Sequence, residues 1–304
     1  MDKHEHRAFT VAEARRAGLS AGRLRNPALA RPFHGVRVAG EFDADDLLAR
    51  ATALTTRLKP RTFFAHQTAA VLHGMPLPRR LTLPAADLHI CVFAPERAPQ
   101  LHGVHSHELK PVGHRIVRVH GLPALGPEDT WCQLSASLTV TELVVAADWL
   151  ITGSEPYSGE PPLTTLDGLD RAIARRGRMR GVRSLRTARD RARYGSLSPR
   201  ETRMRLLLAD SGLPEPELNH RILDEAGALI AMVDLAYPER RIAIKYLGDH
   251  HRATPAAFRD DILRRERLAA HGWSALFTTA ADLDSPAFFL VRLRRLLAST
   301  GKTS

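Results

Sequence analysis

LIAMVDLAYPERRIAIKYL, residues 229–247, reads as two apolar strands separated by the turn Pro238-Glu239-Arg240. The pattern extends in both directions. Upstream, HRILD is a further strand, followed by a turn at Glu225-Ala226-Gly227. Before it, Ser198 caps a helix with Pro199 at the first helical position and Glu201 placed to complete a capping box; the helix runs to about Asp210 and ends at Gly212. Downstream, Thr254-Pro255 opens a long helix through Phe258, Ile262 and Leu268, Gly272 stops it, and WSALFTT is a last strand. The order is helix, three strands, helix, strand. Strands joined by tight turns run antiparallel, and the last one arrives through a helical crossover. Residues 198–304 are therefore expected to form an α/β (α+β) domain, a mixed sheet flanked by helices.

Three segments precede it. In residues 1–40, Thr10 caps a helix starting at Val11 with Glu13 as its capping-box partner, Gly18 stops it, and Ser20 caps a second short helix through Leu24 and Arg25. In ARPFHGVRVAG, Gly35 marks a turn and Val36 and Val38 alternate with Arg37. Helix, tight turn, helix and basic ribbon outline a small winged helix-turn-helix, with Arg23, Arg25 and Arg37 as candidate DNA contacts; a plain helical cap fits the same outline. Residues 43–153 read as a small α+β domain: a helix from Asp43 to Leu58, another over FFAHQTAAVLHGMP, strands at Leu88 to Val92, Val104 to Leu109 and Ile116 to Val119, and a helix from Val140 to Leu150. His102, His105 and His107 lie close together. No Cys or acidic residue has matching ligand spacing, so structural or surface roles are expected for them rather than a metal site. Residues 154–197 hold a Gly/Pro/Ser-rich linker and an arginine-dense stretch from Arg171 to Arg193, including Arg178, Arg180 and Arg183. Such a run serves as a solvated helix face or as a phosphate-neutralising surface.

The composition favours the second use. Forty-four Lys and Arg against 33 Asp and Glu leave 44 − 33 = +11 over 304 residues, which points to a polyanionic partner, most simply double-stranded DNA. The cations are almost all arginine, a bias that genome composition also produces. The two cysteines, Cys91 and Cys132, provide neither a disulfide framework nor zinc-ligand spacing. No apolar run reaches the ~18 residues of a membrane span, and MDKHEHRAFT has no apolar leader core, so a cytoplasmic location is expected.

The segments LSPRETRMRLLLADSGLPEPELN, MVDLAYPERRIAIKYLGDHHR and FRDDILRRERLAAHGWSALFTTAADL resemble a domain related to the very-short-patch-repair (Vsr) endonucleases, within the restriction-endonuclease-like superfamily. Gly248, His250 or His251, Asp261, Arg264, Gly272 and Trp273 match that family's pattern. More weakly, FTVAEARRAGLSAGRL, AHQTAAVLHGMPLP and GLPALGPEDTW resemble AbiEi-type antitoxins, a resemblance that implies transcriptional regulation and a cognate toxin as partner. The nuclease resemblance implies a Mg²⁺ cofactor held between Asp234 and acids on the next strand, with Glu201 as the helix-borne acid. The departures fall on the chemistry. Where the family has Glu, this chain has Lys245; where it has Asp, this chain has Leu247. An ammonium a few ångströms from Mg²⁺ opposes binding by several kcal/mol even at a high effective dielectric. Asp249 is then the substitute ligand and His250 or His251 the acid or base if the site works; alternatively, Lys245 neutralises Asp234 in a buried pair. Two readings follow: a DNA-binding regulator on a degenerate nuclease domain, favoured by Lys245 and Leu247, and an active Mg²⁺-dependent endonuclease or nickase, favoured by the resemblance.

Overall fold

The computed structural model describes residues 7–83, 86–154, 159–247 and 255–299. Its α+β chain divides into one unit of Met1–Ala146 with Thr164–Asp190 and another of Ala147–Leu163 with Arg191–Ser304.

In the first unit, β1 (Arg7–Thr10) pairs antiparallel with β2 (Val36–Ala39), and α1 (Val11–Arg16) and α2 (Ala21–Leu24) lie between them in sequence. The expected capping box is present: Thr10 Oγ1 accepts from the Glu13 N–H at 3.1 Å and Glu13 Oε2 accepts from the Thr10 N–H at 2.9 Å. Next comes α3 (Leu47–Thr55), shorter than the expected Asp43–Leu58 because Asp46 caps it by accepting from the Leu48 N–H at 2.8 Å. The run expected as one helix is β3 (Phe63–Phe64) followed by α4 (His66–Leu72). A five-stranded sheet has the order β5-β4-β3-β7-β6, formed with β4 (Leu88–Phe93), β5 (Val104–Leu109), β6 (Ile116–Val119) and β7 (Leu122–Leu125). Then follow α5 (Pro127–Gln133), α6 (Val140–Thr152), whose residues from Ala147 on belong to the second unit, α7 (Leu166–Arg176) and α8 (Val182–Arg191), whose last residue does too. Phe33, Val36 and Val38 pack in the same hydrophobic cluster as Leu54, Phe64, Ile90 and Ala124. Residues 7–40 thus share a core with the segment after them. A forty-residue piece buries too little apolar surface to hold a core of its own.

The second unit follows the element order expected from the sequence: α9 (Pro199–Asp210), β8 (Glu217–Leu223), β9 (Leu229–Tyr237), β10 (Ile242–Tyr246), α10 (Pro255–Ala270) and β11 (Ser274–Thr278). The sheet order is β11-β10-β9-β8, with the two hairpins antiparallel and β10 parallel to β11. At the β8–β9 turn, Asp224 Oδ1 accepts from the N–H groups of Ala226 and Ala228, and Gly227 takes a φ of 82° that favours glycine. Beyond the sequence reading, α11 (Ala280–Asp284) and α12 (Ala287–Ser299) close the unit. Phe289, Leu290 and Leu293 of α12 join Met204, Leu208, Leu235, Ile244 and Leu276 in one core cluster. Ile222, Val233, Ala243 and Leu268 form another. No helix among the described residues is long and apolar enough to cross a membrane.

Candidate functional site

The β8–β9 pairing shifts register between Ile222 and Leu223, and a second departure lies opposite Asp234. Asn219 and Asp234 lie opposite each other between the ladder pairs Leu218–Leu235 and His220–Val233, and Asn219 has a left-handed φ of 47°. On one side of this point Leu218 and Leu235 enter the first core cluster; on the other, Ile222 and Val233 enter the second. The strands exchange faces here, which brings the Asp234 carboxylate into the gap where β9 and β10 part. Their last ladder pair is Leu235–Ile244, while β10 continues beside β11 to Tyr246.

Asp234 is 4% exposed. Its Oδ1 accepts a hydrogen bond from Lys245 Nζ, and its Oδ2 accepts from the Tyr246 N–H at 2.6 Å. Of the two fates the sequence leaves open for Lys245, the buried pair is the one present. Lys245 keeps 22% of its side chain exposed. Above Tyr246, the Arg200 guanidinium carbon sits 5.0 Å from the ring centroid, within cation–π range.

Glu201 is brought to the same place by α9. Ser198 caps that helix through the Glu201 N–H at 3.2 Å, but the expected capping box is only half formed. Glu201 Oε2 accepts instead from the Leu197 N–H and from Asn219 Nδ2, both at 2.9 Å. The left-handed turn at Asn219 thereby acquires a role: it holds the carboxylate that faces Asp234. Burial, and after it the negative charge of Asp234, push the Glu201 carboxyl above its ordinary value.

These donors do not make a Mg²⁺ site. Both oxygens of Asp234 are occupied by donors of the protein, one of them cationic, and Glu201 carries two donors on one oxygen. Leu247 contributes no oxygen from its side chain. Among the described residues no group of three or more His, Cys, Asp or Glu side chains is placed to hold a metal ion. Gly248, Asp249, His250, His251 and the Asp261 side chain lie outside the described residues.

A buried pair, unseen in the sequence, anchors the helix that carries Glu201. Arg205 is 2% exposed and Asp148 0%. Arg205 Nη2 donates to Asp148 Oδ2 at 2.9 Å, Thr202 Oγ1 donates to the same oxygen at 2.9 Å, and Asp148 Oδ1 accepts from the Arg193 N–H at 2.7 Å. Burial raises the Asp148 pKa, opposed first by the Arg205 charge.

No family model matches the chain. It is 26% identical over 260 residues to the uncharacterized protein MT2308 of Mycobacterium tuberculosis (strain CDC 1551 / Oshkosh), covering 86% of this chain and 89% of that protein. It is similar to the same extent to the uncharacterized protein Rv2248 of M. tuberculosis (strain ATCC 25618 / H37Rv).

The candidate DNA-contacting arginines divide into two kinds. Arg23 and Arg25, at the end of α2, are exposed, as are Arg178 and Arg180 between α7 and α8 and Arg183 on α8. Arg37 is committed to the fold: Nε donates to the Leu24 carbonyl at 3.0 Å and Nη1 to that of Val36 at 2.8 Å. Several neighbours in the arginine stretch are also spent on carboxylates, Arg175 on Asp129 at 3.0 Å and Arg189 on Asp170 at 2.5 Å.

The histidines form a cluster wider than the sequence indicated. His89 on β4 lies beside His105 and His107 on β5, and the His66 ring stacks on His107 with centroids 4.1 Å apart. His89 Nδ1 and His107 Nε2 are 2.9 Å apart in rings only 9° from parallel, with centroids 5.2 Å apart. The two nitrogens share a proton edge to edge; they do not converge on a metal point. His102 is exposed before β5. Burial and the neighbouring imidazoles hold His66 down to about 3 and His89 to about 4.

Proposed function

We propose that this chain is a double-stranded DNA-binding protein of regulator type, in which a restriction-endonuclease-like second unit holds DNA without hydrolysing it. One observation carries the reading: the Lys245 ammonium bonds the Asp234 carboxylate where the resemblance places a divalent cation. The ammonium neutralises Asp234 but has no open coordination position for a phosphate oxygen or an attacking water. The order of α9, β8, β9, β10, α10 and β11 supports the nuclease-like fold. The α1–turn–α2 unit with its β1–β2 ribbon supports a winged helix-turn-helix in the first unit, and the net charge of +11 supports the polyanionic partner. A cognate toxin as partner rests on the antitoxin resemblance alone.

The competing reading, an active Mg²⁺-dependent nuclease, draws on the facing acids Glu201 and Asp234. Incubation of supercoiled plasmid with saturating protein and Mg²⁺ separates the two. Retarded but intact plasmid is expected. Nicking or linearisation that disappears in Asp234→Ala would overturn the non-hydrolytic reading.

A further inference from the structure

The first unit holds a cleft of about 880 Å³. The turn after α3, the turn after β4 and the β6–β7 hairpin enclose it. Its interior is apolar: Phe63 and Phe93, a tilted pair with centroids 4.9 Å apart, with Leu122 beside them. Its polar lining is cationic. Arg61 is paired with Glu96 at 3.1 Å, but among the described residues neither Lys59 nor Arg118 has a carboxylate partner. Arg118 gives one N–H to the Gly121 carbonyl at 2.7 Å, which fixes the side chain and leaves the rest of its donor fork free.

Volume, apolar lining and a few convergent polar groups are the marks of a small-molecule site.

We propose that this cleft binds a small aromatic carboxylate. The aromatic body packs against Phe63 and Phe93, and Arg118 and Lys59 hold the carboxylate. The charge at the rim selects the anion, and the apolar interior selects the body.

Calorimetry on the full chain tests this with 1-naphthylacetate and its neutral amide, 1-naphthylacetamide. The carboxylate should bind saturably and the amide about tenfold more weakly or worse. Arg118→Gln, at an exposed side chain, should weaken naphthylacetate about tenfold while leaving the melting temperature unchanged. Absence of saturable binding, equal affinity for the amide, or unchanged affinity in Arg118→Gln would each overturn the proposal. So would displacement of naphthylacetate by duplex DNA, which would assign Lys59 and Arg118 to phosphate contacts.

Discussion

Lys245 bonds the Asp234 carboxylate, and on the proposed reading its ammonium stands where a related nuclease would hold a divalent cation. Its removal should be reversible by design. Lys245→Glu with Leu247→Asp places two carboxylates on the face of β10 that meets Asp234, since residues two apart share a face. Calorimetry should find Mg²⁺ binding in the double variant and none in the unaltered chain. Without metal the variant should be less stable, because like charges crowd Asp234, and Mg²⁺ should restore that stability by binding the folded state alone. A double variant that ignores Mg²⁺ would show that these positions do not surround Asp234. Glu201 has a pH signature of its own. Its carboxyl is held above its ordinary value, so the folded state favours the protonated form. The stability it contributes is fully present below the ordinary carboxylate value and declines as pH rises through the raised one. Glu201→Gln keeps an oxygen to accept from Leu197 and Asn219 and removes the charge facing Asp234. Urea unfolding should show its advantage over the unaltered chain growing as pH increases; a constant offset across pH would contradict this. Asp234 and Lys245 could be named because the nuclease resemblance marks their positions on the two strands, and a strand's two-residue period then ties Lys245 and Leu247 to one face. Asn219 could not, because its part depends on a left-handed residue opposite Asp234, and nothing in ELNHRIL announces it.

Among the elements, those with strong local signals were legible. Ser198-Pro199 starts α9, Pro238 breaks β9 from β10, and Gly272 ends the crossover helix. Elements that depend on distant partners were not. β1 and β3 are four and two residues long and exist through pairing with β2, β4 and β7. In α12, Arg292, Arg294 and Arg295 interrupt the apolar run, hiding the Phe289, Leu290 and Leu293 stripe that enters the core. Two predictions belong here. In the α1–α2 element, Arg23→Glu with Arg25→Glu should weaken duplex binding and flatten its salt dependence by about one to two phosphates' worth, with the melting temperature unchanged. Deletion of residues 1–40 cannot serve this purpose, because Phe33, Val36 and Val38 belong to the core. Equal binding by the double variant would make the element a structural cap. At the β4–β5 pair, His66 and His89 are held neutral with Arg176 and His105 adding positive charge nearby and Asp87 as the opposing carboxylate. A base held below its ordinary value contributes stability above that value and loses it as pH falls. Unfolding free energy should therefore drop between pH 6.5 and about 4, by at most ~1.4 kcal/mol per pH unit for each histidine. His89→Asn should reduce that slope; an unchanged slope would place the acid sensitivity elsewhere.

On the scale of the whole molecule, the charge of +11 is legible from composition alone, but its distribution is not. The arginine stretch looks uniform in sequence, yet the structure pairs Arg175, Arg189, Arg191 and Arg193 with carboxylates and leaves Arg178, Arg180 and Arg183 exposed. The number of cations able to meet phosphate is thus smaller than the arginine count. On the proposed function the exposed ones do meet it, and the salt dependence of duplex binding tests this most directly. Anisotropy of a labelled duplex several helical turns long should report an affinity that falls roughly a thousandfold between ~50 and ~200 mM salt, as expected for about six phosphate contacts. An affinity that stays flat over that range, or no binding at the low-salt end, would contradict the account.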